Sequence, residues 1–233
     1  MDLWVCQLGR VDYREALALQ HRLREARQAE QIPDTLLLLE HDPVYTRGRR
    51  SDPGELPLGE DWYRERGIDI VDVDRGGKVT YHGPGQLVGY PIMRIESGAL
   101  AYVRTLEDAT VQALADDGVA GARSRAEDGL DFTGVWVGDR KIASIGVHVQ
   151  RGITTHGFAV NVGAGSLAPF EWIVPCGLGG VRMTSIETER GQADWACFRK
   201  RMAHRFATAI DRRQRVISRT RILSVNAPAS AVA

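Results

Sequence analysis

Cys176 stands in IVPCGL, residues 173–178, with a proline before it and glycines at 177 and 179 after it. Pro175 stiffens the approach and the glycines relax the exit. This thiol therefore belongs to a turn that can present it to a cleft, outside any periodic apolar run. Thiolate is the nucleophilic form of cysteine, and forming it needs a positive or basic neighbour. A candidate neighbour stands in DRKIASIG, residues 139–146. Among 30 Lys plus Arg, lysine occupies only positions 78, 141 and 200. Arginine is effectively always protonated, whereas a desolvated lysine shifts its pKa readily and can serve as a base. Lys141 is thus a candidate proton carrier, or else a strand-end lysine reaching out to water. His82 and His156, in YHG and THG, are alternative bases for a thiol enzyme, or hydrogen-bonded structural histidines. Cys6 and Cys197 fall in a predicted strand and a predicted helix and read as core.

The segment RGGKVTYHGPGQ, residues 75–86, carries four glycines and a proline between two strands. Glycines at this density let backbone amides approach a ligand closely and form a small anion-binding nest. The segment has neither the GK[ST] ending of a phosphate loop nor a GxGxxG pattern. Composition alone leaves open a ligand cradle or a tight structural loop.

The elements that must hold these groups are readable from periodicity. DLWVCQLG is a strand. Asp12 caps a helix, and Glu15 three residues on completes a capping box. Ala16, Leu19, Leu23 and Ala26 form that helix's apolar stripe. TLLLLE, residues 35–40, is a short buried strand. Residues 41–58, rich in Pro, Gly and Arg, read as an ordered loop with little regular structure. IDIVDVD is a half-buried strand and LVGYPIM another. Residues 100–117 form a helix with Val103, Leu106, Ala113 and Leu114 inward, stopped by Gly118. GVWV and RKIASIGV flank Gly138 and Asp139 in a hairpin of II′ geometry, which puts Lys141, Ala143, Ile145 and Val147 on one face. ITTHGFAVNV adds a third strand. Residues 194–213 form a helix burying Trp195, Phe198, Met202 and Phe206. The order of elements predicts an α+β single domain, residues 1–220, with a mixed, largely antiparallel sheet flanked by helices. Residues 221–233 are expected to be a disordered tail.

Bulk composition excludes several classes. The chain has 233 residues, 43% of them hydrophobic, and zero formal net charge. That balance calls for no nucleic acid. No apolar run approaches the roughly 18 residues of a membrane helix, and the amino end lacks the pattern of a secretory signal. Three scattered cysteines without a CxxC pair argue against a disulfide framework or a zinc site. A cytoplasmic setting is expected. Residues 199–221 hold eight arginines and one lysine against Asp211 alone, which reads as a solvated helix face or a dock for an acidic partner.

Taken together, RGGKVTYHGPGQLVGYPI, GVWVGDRKIASIGV, TTHGFAVNV, PCGL and MTSI, in this order, resemble the octanoyltransferases of the biotin and lipoate protein ligase superfamily. HDPVYTRGR, residues 41–49, is similar to that family's early motif, and the resemblance spans about residues 36–187. It implies a biotin/lipoate ligase-like domain that moves an octanoyl group from octanoyl-acyl carrier protein to a lysine of a lipoyl domain. Acceptors would be the lipoyl domains of 2-oxoacid dehydrogenase complexes and the glycine cleavage H protein. No cofactor, metal or membrane is implied. The resemblance makes Cys176 the nucleophile and Lys141 its partner. It assigns Arg75, Gly76, Gly77, Lys78, Val79, Thr80, Tyr81 and His82, with Ser144, Ile145 and Gly146 and with Gly157, Phe158 and Ala159, to substrate binding. Val79, Ile145 and Phe158 are expected to line an acyl channel. One departure is Gly152, where the family commonly has an aromatic residue.

Three other functions fit parts of the pattern. An ATP-dependent lipoate or biotin ligase on the same fold would not need Cys176. A thiol hydrolase would pair Cys176 with His82 or His156. A non-catalytic module would only bind the carrier. Arg47, Arg49 and Arg50 are the first candidates to meet an acidic carrier.

Overall fold

The computed structural model describes residues 1–174 and 180–226. Strand β1 (Asp2–Val11) runs into Asp12, whose carboxylate accepts from the backbone N–H groups of Arg14 at 2.8 Å and Glu15 at 3.1 Å. That cap satisfies two donors a helix start leaves open, and helix α1 (Tyr13–Gln28) follows with Ala16, Leu19, Leu23 and Ala26 all buried. In strand β2 (Asp34–His41), Leu36 and Leu38 pack into one apolar cluster while Leu37 and Leu39 pack into another. A strand covered on both faces reads as a continuous apolar run because neither face meets water.

Next come β3 (Val44–Arg47), α2 (Glu60–Arg64), β4 (Asp69–Asp72), β5 (Thr80–His82) and β6 (Gln86–Ile92). Helix α3 (Ala99–Asp116) is followed at Gly118 by a left-handed φ of +83°, which suits glycine at a helix end. Strands β7 (Ala122–Ser124), β8 (Gly134–Val137), β9 (Arg140–Gln150) and β10 (Ile153–Asn161) succeed it. Then follow β11 (Arg182–Met183), α4 (Ile186–Arg190), α5 (Trp195–Ala209), β12 (Arg213–Ile217) and α6 (Arg219–Leu223).

The large sheet has the order β12-β1-β2-β6-β10-β9-β8-β7, with β11 beside β9. Its β12–β1, β1–β2 and β11–β9 pairs are parallel and the others antiparallel. Leu106 and Ala113 of α3 and Phe198, Met202 and Phe206 of α5 join the cluster of Leu36 and Leu38. The α1 stripe joins that of Leu37 and Leu39. The result is the α+β domain with a mixed sheet between helices that the sequence predicts. A smaller sheet, β4-β3-β5, packs Tyr45, Ile70 and Tyr81 against Tyr63 and Phe170.

Several expectations need correction. Residues 41–58 are not plain loop, because Val44–Arg47 is a strand bonded to β4 and β5. Pro43 and Gly48 at its ends hid a run of only four residues. The basic stretch 199–221 is not one helix face, since α5 stops at Ala209 and β12 pairs in parallel with β1. Its arginines find acids elsewhere in the chain, among them Arg205 with Asp116 and Arg213 and Arg215 with Asp2. Trp195 is only partly buried, and Cys197, expected in the core, is exposed. Finally, Lys141 and Ala143 do not share a simple face. Val135 pairs with Ala143 and Trp136 with Lys141, so β9 carries one extra residue, a bulge at Ile142. Helix α6 spans position 220 and buries Ile222, and residues 227–233 of the expected tail lie outside the described residues.

Candidate functional site

A cleft of about 320 Å³ opens between the glycine-rich loop and strands β9 and β10. Arg75, Gly76, Gly77, Lys78, Val79, Thr80 and His82 line one side of it; Lys141, Ser144, Ile145, Gly146, Gly157, Phe158 and Ala159 line the other. Segments far apart in the sequence thus meet at one place. Tyr81 is the exception. On β5 it alternates with Thr80 and His82, so it turns away into the smaller sheet's core, edge-on to Phe170 at 5.6 Å. Cys176 lies outside the described residues.

Lys141 is 1% exposed, which excludes a strand-end lysine reaching to water. Its Nζ stands 5.3 Å from the centroid of the Trp136 ring. Gly134 on β8, at φ +132°, makes the space; a Cβ there would stand 2.7 Å from Lys141 Cε and collide with the Ala143 carbonyl oxygen. The backbone N–H of Gly134 donates at 2.8 Å to Glu107, a fully buried carboxylate that also accepts from the Ser124 hydroxyl at 2.8 Å and pairs with Arg104. On the other side, Met183 of β11 is registered against Lys141, and Thr184 donates its N–H to the Lys141 carbonyl at 2.9 Å.

The glycine loop is pinned from three directions. Arg75 is buried and its Nη2 donates to the Thr46 carbonyl and hydroxyl oxygens, each at 2.7 Å. Gly76 N–H donates to the Val147 carbonyl at 3.0 Å. Val79 N–H donates to Glu55 at 2.9 Å. The loop's contact with β9 is close, and a Cβ on Gly146 would press on the Gly76 carbonyl oxygen at 3.0 Å.

Both candidate histidines are committed to neighbours. Gln86 Nε2 donates to the Tyr81 carbonyl and to Asn161 Oδ1, so its Oε1 must accept from His82 Nδ1 at 2.7 Å. His82 therefore carries its proton on Nδ1, and burial pushes its pKa far below the ordinary range. His156 donates from Nε2 to Asp74 at 2.7 Å and from its backbone N–H to Gln20 at 2.7 Å, at a left-handed φ of +57°. The His156 hydrogen bond holds the Asp74 carboxyl well below the usual carboxylate range, while burial lowers His156 itself.

Sequence reasoning missed part of the lining. Tyr13, Tyr90, Leu100, Val103 and Leu130 also line the cleft, with Arg50, Asp131, Thr133 and His156 among its polar members. Leu100 and Leu130 are exposed at 55% and 57%, and an apolar residue at a helix start or in a polar loop was the signal available. Arg47 is held by Asp72 at 2.6 and 2.9 Å and by Glu60, and Arg50 pairs with Asp131 at 3.1 Å. Gly152 sits with Arg151 at the β9–β10 turn, at φ of +76° and +51°. That is the geometry of a type I′ hairpin, and it accounts for a glycine where an aromatic was expected.

Comparison with solved structures defines the fold. A putative lipoate protein ligase from T. acidophilum with bound lipoic acid superposes with a TM-score of 0.73 over 95% of this chain and 91% of its own, at 17% identity. A lipoate-protein ligase A bound with ATP gives 0.73 over 97% and 92%, at 18% identity. At these identities the likeness is one of fold. Residues 12–207 match the model of the lipoyl protein ligase A/B catalytic domain. An octanoyltransferase of Acidobacterium capsulatum is 46% identical over 205 residues, 81% of each chain, and one of Solibacter usitatus is 49% identical over 175 residues, 74% of this chain and 77% of its own. The chain belongs to the lipoyl protein ligase A/B catalytic domain family, among its octanoyltransferases, and is an acyltransferase. No helix among the described residues is long and apolar enough to cross a membrane.

Proposed function

We propose that this enzyme moves an octanoyl group from octanoyl-acyl carrier protein to the lysine of a lipoyl domain, through a thioester on Cys176. The observation that carries the reading is the burial of Lys141 on the floor of an apolar cleft. Its close packing against Gly134 and β11 supports a fixed proton carrier at the reacting centre. Cys176 would give its proton to Lys141 and attack the thioester carbonyl. The carrier's phosphopantetheine sulfur leaves and takes that proton. The lipoyl-lysine amine then attacks the acyl-cysteine; the amide forms, the Cys176–acyl bond breaks, and the amine's proton passes through Lys141 to the departing Cys176 sulfur. Thioester exchange is near isoenergetic and the amide is more stable, so no ATP or other cofactor enters. Val79, Ile145 and Phe158 would receive the acyl chain, at about 0.8 kcal/mol per buried CH₂.

Intact mass after mixing with octanoyl-acyl carrier protein tests this. The expected result is an octanoyl adduct that maps to Cys176, is lost in Cys176→Ser, and forms far more slowly in Lys141→Arg. Transfer without an adduct would mean direct attack by the amine. Neither adduct nor transfer, with lipoate-dependent ATP–pyrophosphate exchange instead, would establish a ligase. Release of octanoate at rates matching transfer would establish a hydrolase.

A further inference from the structure

Glu55 is a carboxylate where none is expected to be buried. It ends a short 3₁₀ turn, Pro53–Glu55, started by Asp52, whose side chain accepts from Gly54 N–H at 2.8 Å. Glu55 is only 3% exposed. Its Oε2 accepts the N–H of Val79 at 2.9 Å, and its Oε1 stands 3.6 Å from Lys78 Nζ. Its backbone carbonyl accepts the N–H of Val174 at 3.0 Å. One residue therefore holds two separate stretches of chain. The side chain grips the end of the glycine loop, whose residues 76–79 line the cleft. The main chain grips the last described residue before position 175.

We infer that Glu55 is a positioning residue that keeps the glycine loop in register with the chain leading toward the nucleophile. This rests on the transfer reading, in which the loop holds the acyl donor and Cys176 attacks it. A buried carboxylate needs partners to repay its desolvation. Here the partners are the loop itself, so the loop and the turn form one unit. Moving the side chain releases Val79, frees the 53–55 turn, and loosens Val174 although its own acceptor is a main-chain atom.

The test compares the full-length native chain with Glu55→Ala, Glu55→Asp and Glu55→Gln by amide hydrogen exchange and by thioester formation. Glu55→Asp keeps the charge but withdraws it by one methylene, and it serves if Glu55→Ala does not fold. In both, exchange at residues 76–79 and at Val174 should rise together by about tenfold or more. KM for the acyl donor should rise, and the rate of adduct formation should fall. Glu55→Gln keeps an acceptor for Val79 N–H and should restore most of both. The inference is overturned if Glu55→Asp exchanges like the native chain, if residues 76–79 loosen while Val174 does not, or if Glu55→Gln fails as Glu55→Ala does. Absence of any acyl adduct in the native chain would remove the transfer reading, while the exchange data would still decide the coupling.

Discussion

Gly134 of β8 packs directly on the Lys141 side chain of β9 with no room for a side chain at 134, where a Cβ would stand 2.7 Å from Lys141 Cε. The glycine thus does for the lysine what a pocket does for a ligand. Gly134→Ala would also be strained at φ +132°. It should cost about 1–3 kcal/mol of stability and slow acylation by about tenfold or more through displacement of the amine. Denaturant midpoints beside adduct rates would check it, and a variant that acylates at the native rate would remove the role given to this packing.

Glu107 is the next link behind Gly134. Replacing it with leucine strands the Gly134 N–H, the Ser124 hydroxyl and the Arg104 guanidinium, for a loss of about 3 kcal/mol. Glu107→Gln still offers an oxygen to Gly134 and should lose clearly less. Urea unfolding with an unchanged m-value would read this difference directly.

Phe158 owes its position to Gly89. The two are paired across β10 and β6, and a Cβ at 89 would run into the ring. Gly89→Ala should destabilise by about 1–3 kcal/mol through overpacking. Adding Phe158→Leu should recover part of that loss, so a double-mutant cycle is expected to be strongly non-additive. Simple additivity would mean that the ring moves aside freely.

Acid should weaken the fold through a buried histidine. His41 donates from Nδ1 to the Val11 carbonyl at 2.8 Å and accepts from the Tyr90 hydroxyl at 2.7 Å. Burial lowers its pKa to about 4. The unfolded chain takes up this proton near pH 6.5, and the folded chain refuses it until about pH 4. The fold is therefore fully stable above 6.5 and loses about 3 kcal/mol from His41 as pH falls across that window. His82 and His156 shift in the same direction. Urea midpoints from pH 7.5 to 4.5 should fall, and His41→Gln should flatten the slope.

Much of this was legible in the residues, and the rest was not for identifiable reasons. Asp12, the α1 stripe and the Gly138 turn declare themselves locally, because a cap, a 3.6-residue period and a positive φ each need particular residue types nearby. The cleft residues on the glycine loop, β9 and β10 came from motif likeness, and the fold brings all but Tyr81 of the described ones together. Strand β12 was hidden because RQRVI looks like the end of an arginine-rich helix until β1 supplies its partner. Glu55 and Glu107 were invisible for a related reason. A carboxylate is buried only where donors from distant segments converge, and no local pattern records that.

The pairing of β1 with β12 also sets an order of events during synthesis. Asp2 is registered against Arg213, and Arg213 donates its N–H to the Met1 carbonyl at 3.1 Å. Strand β1 therefore receives its outer neighbour only after every element from α1 to α5 has been made. Until then one side of β1 carries unpaired backbone groups, the kind of edge on which chains associate wrongly. A ribosome-stalled chain ending before residue 213 should be the species of this enzyme most in need of a chaperone.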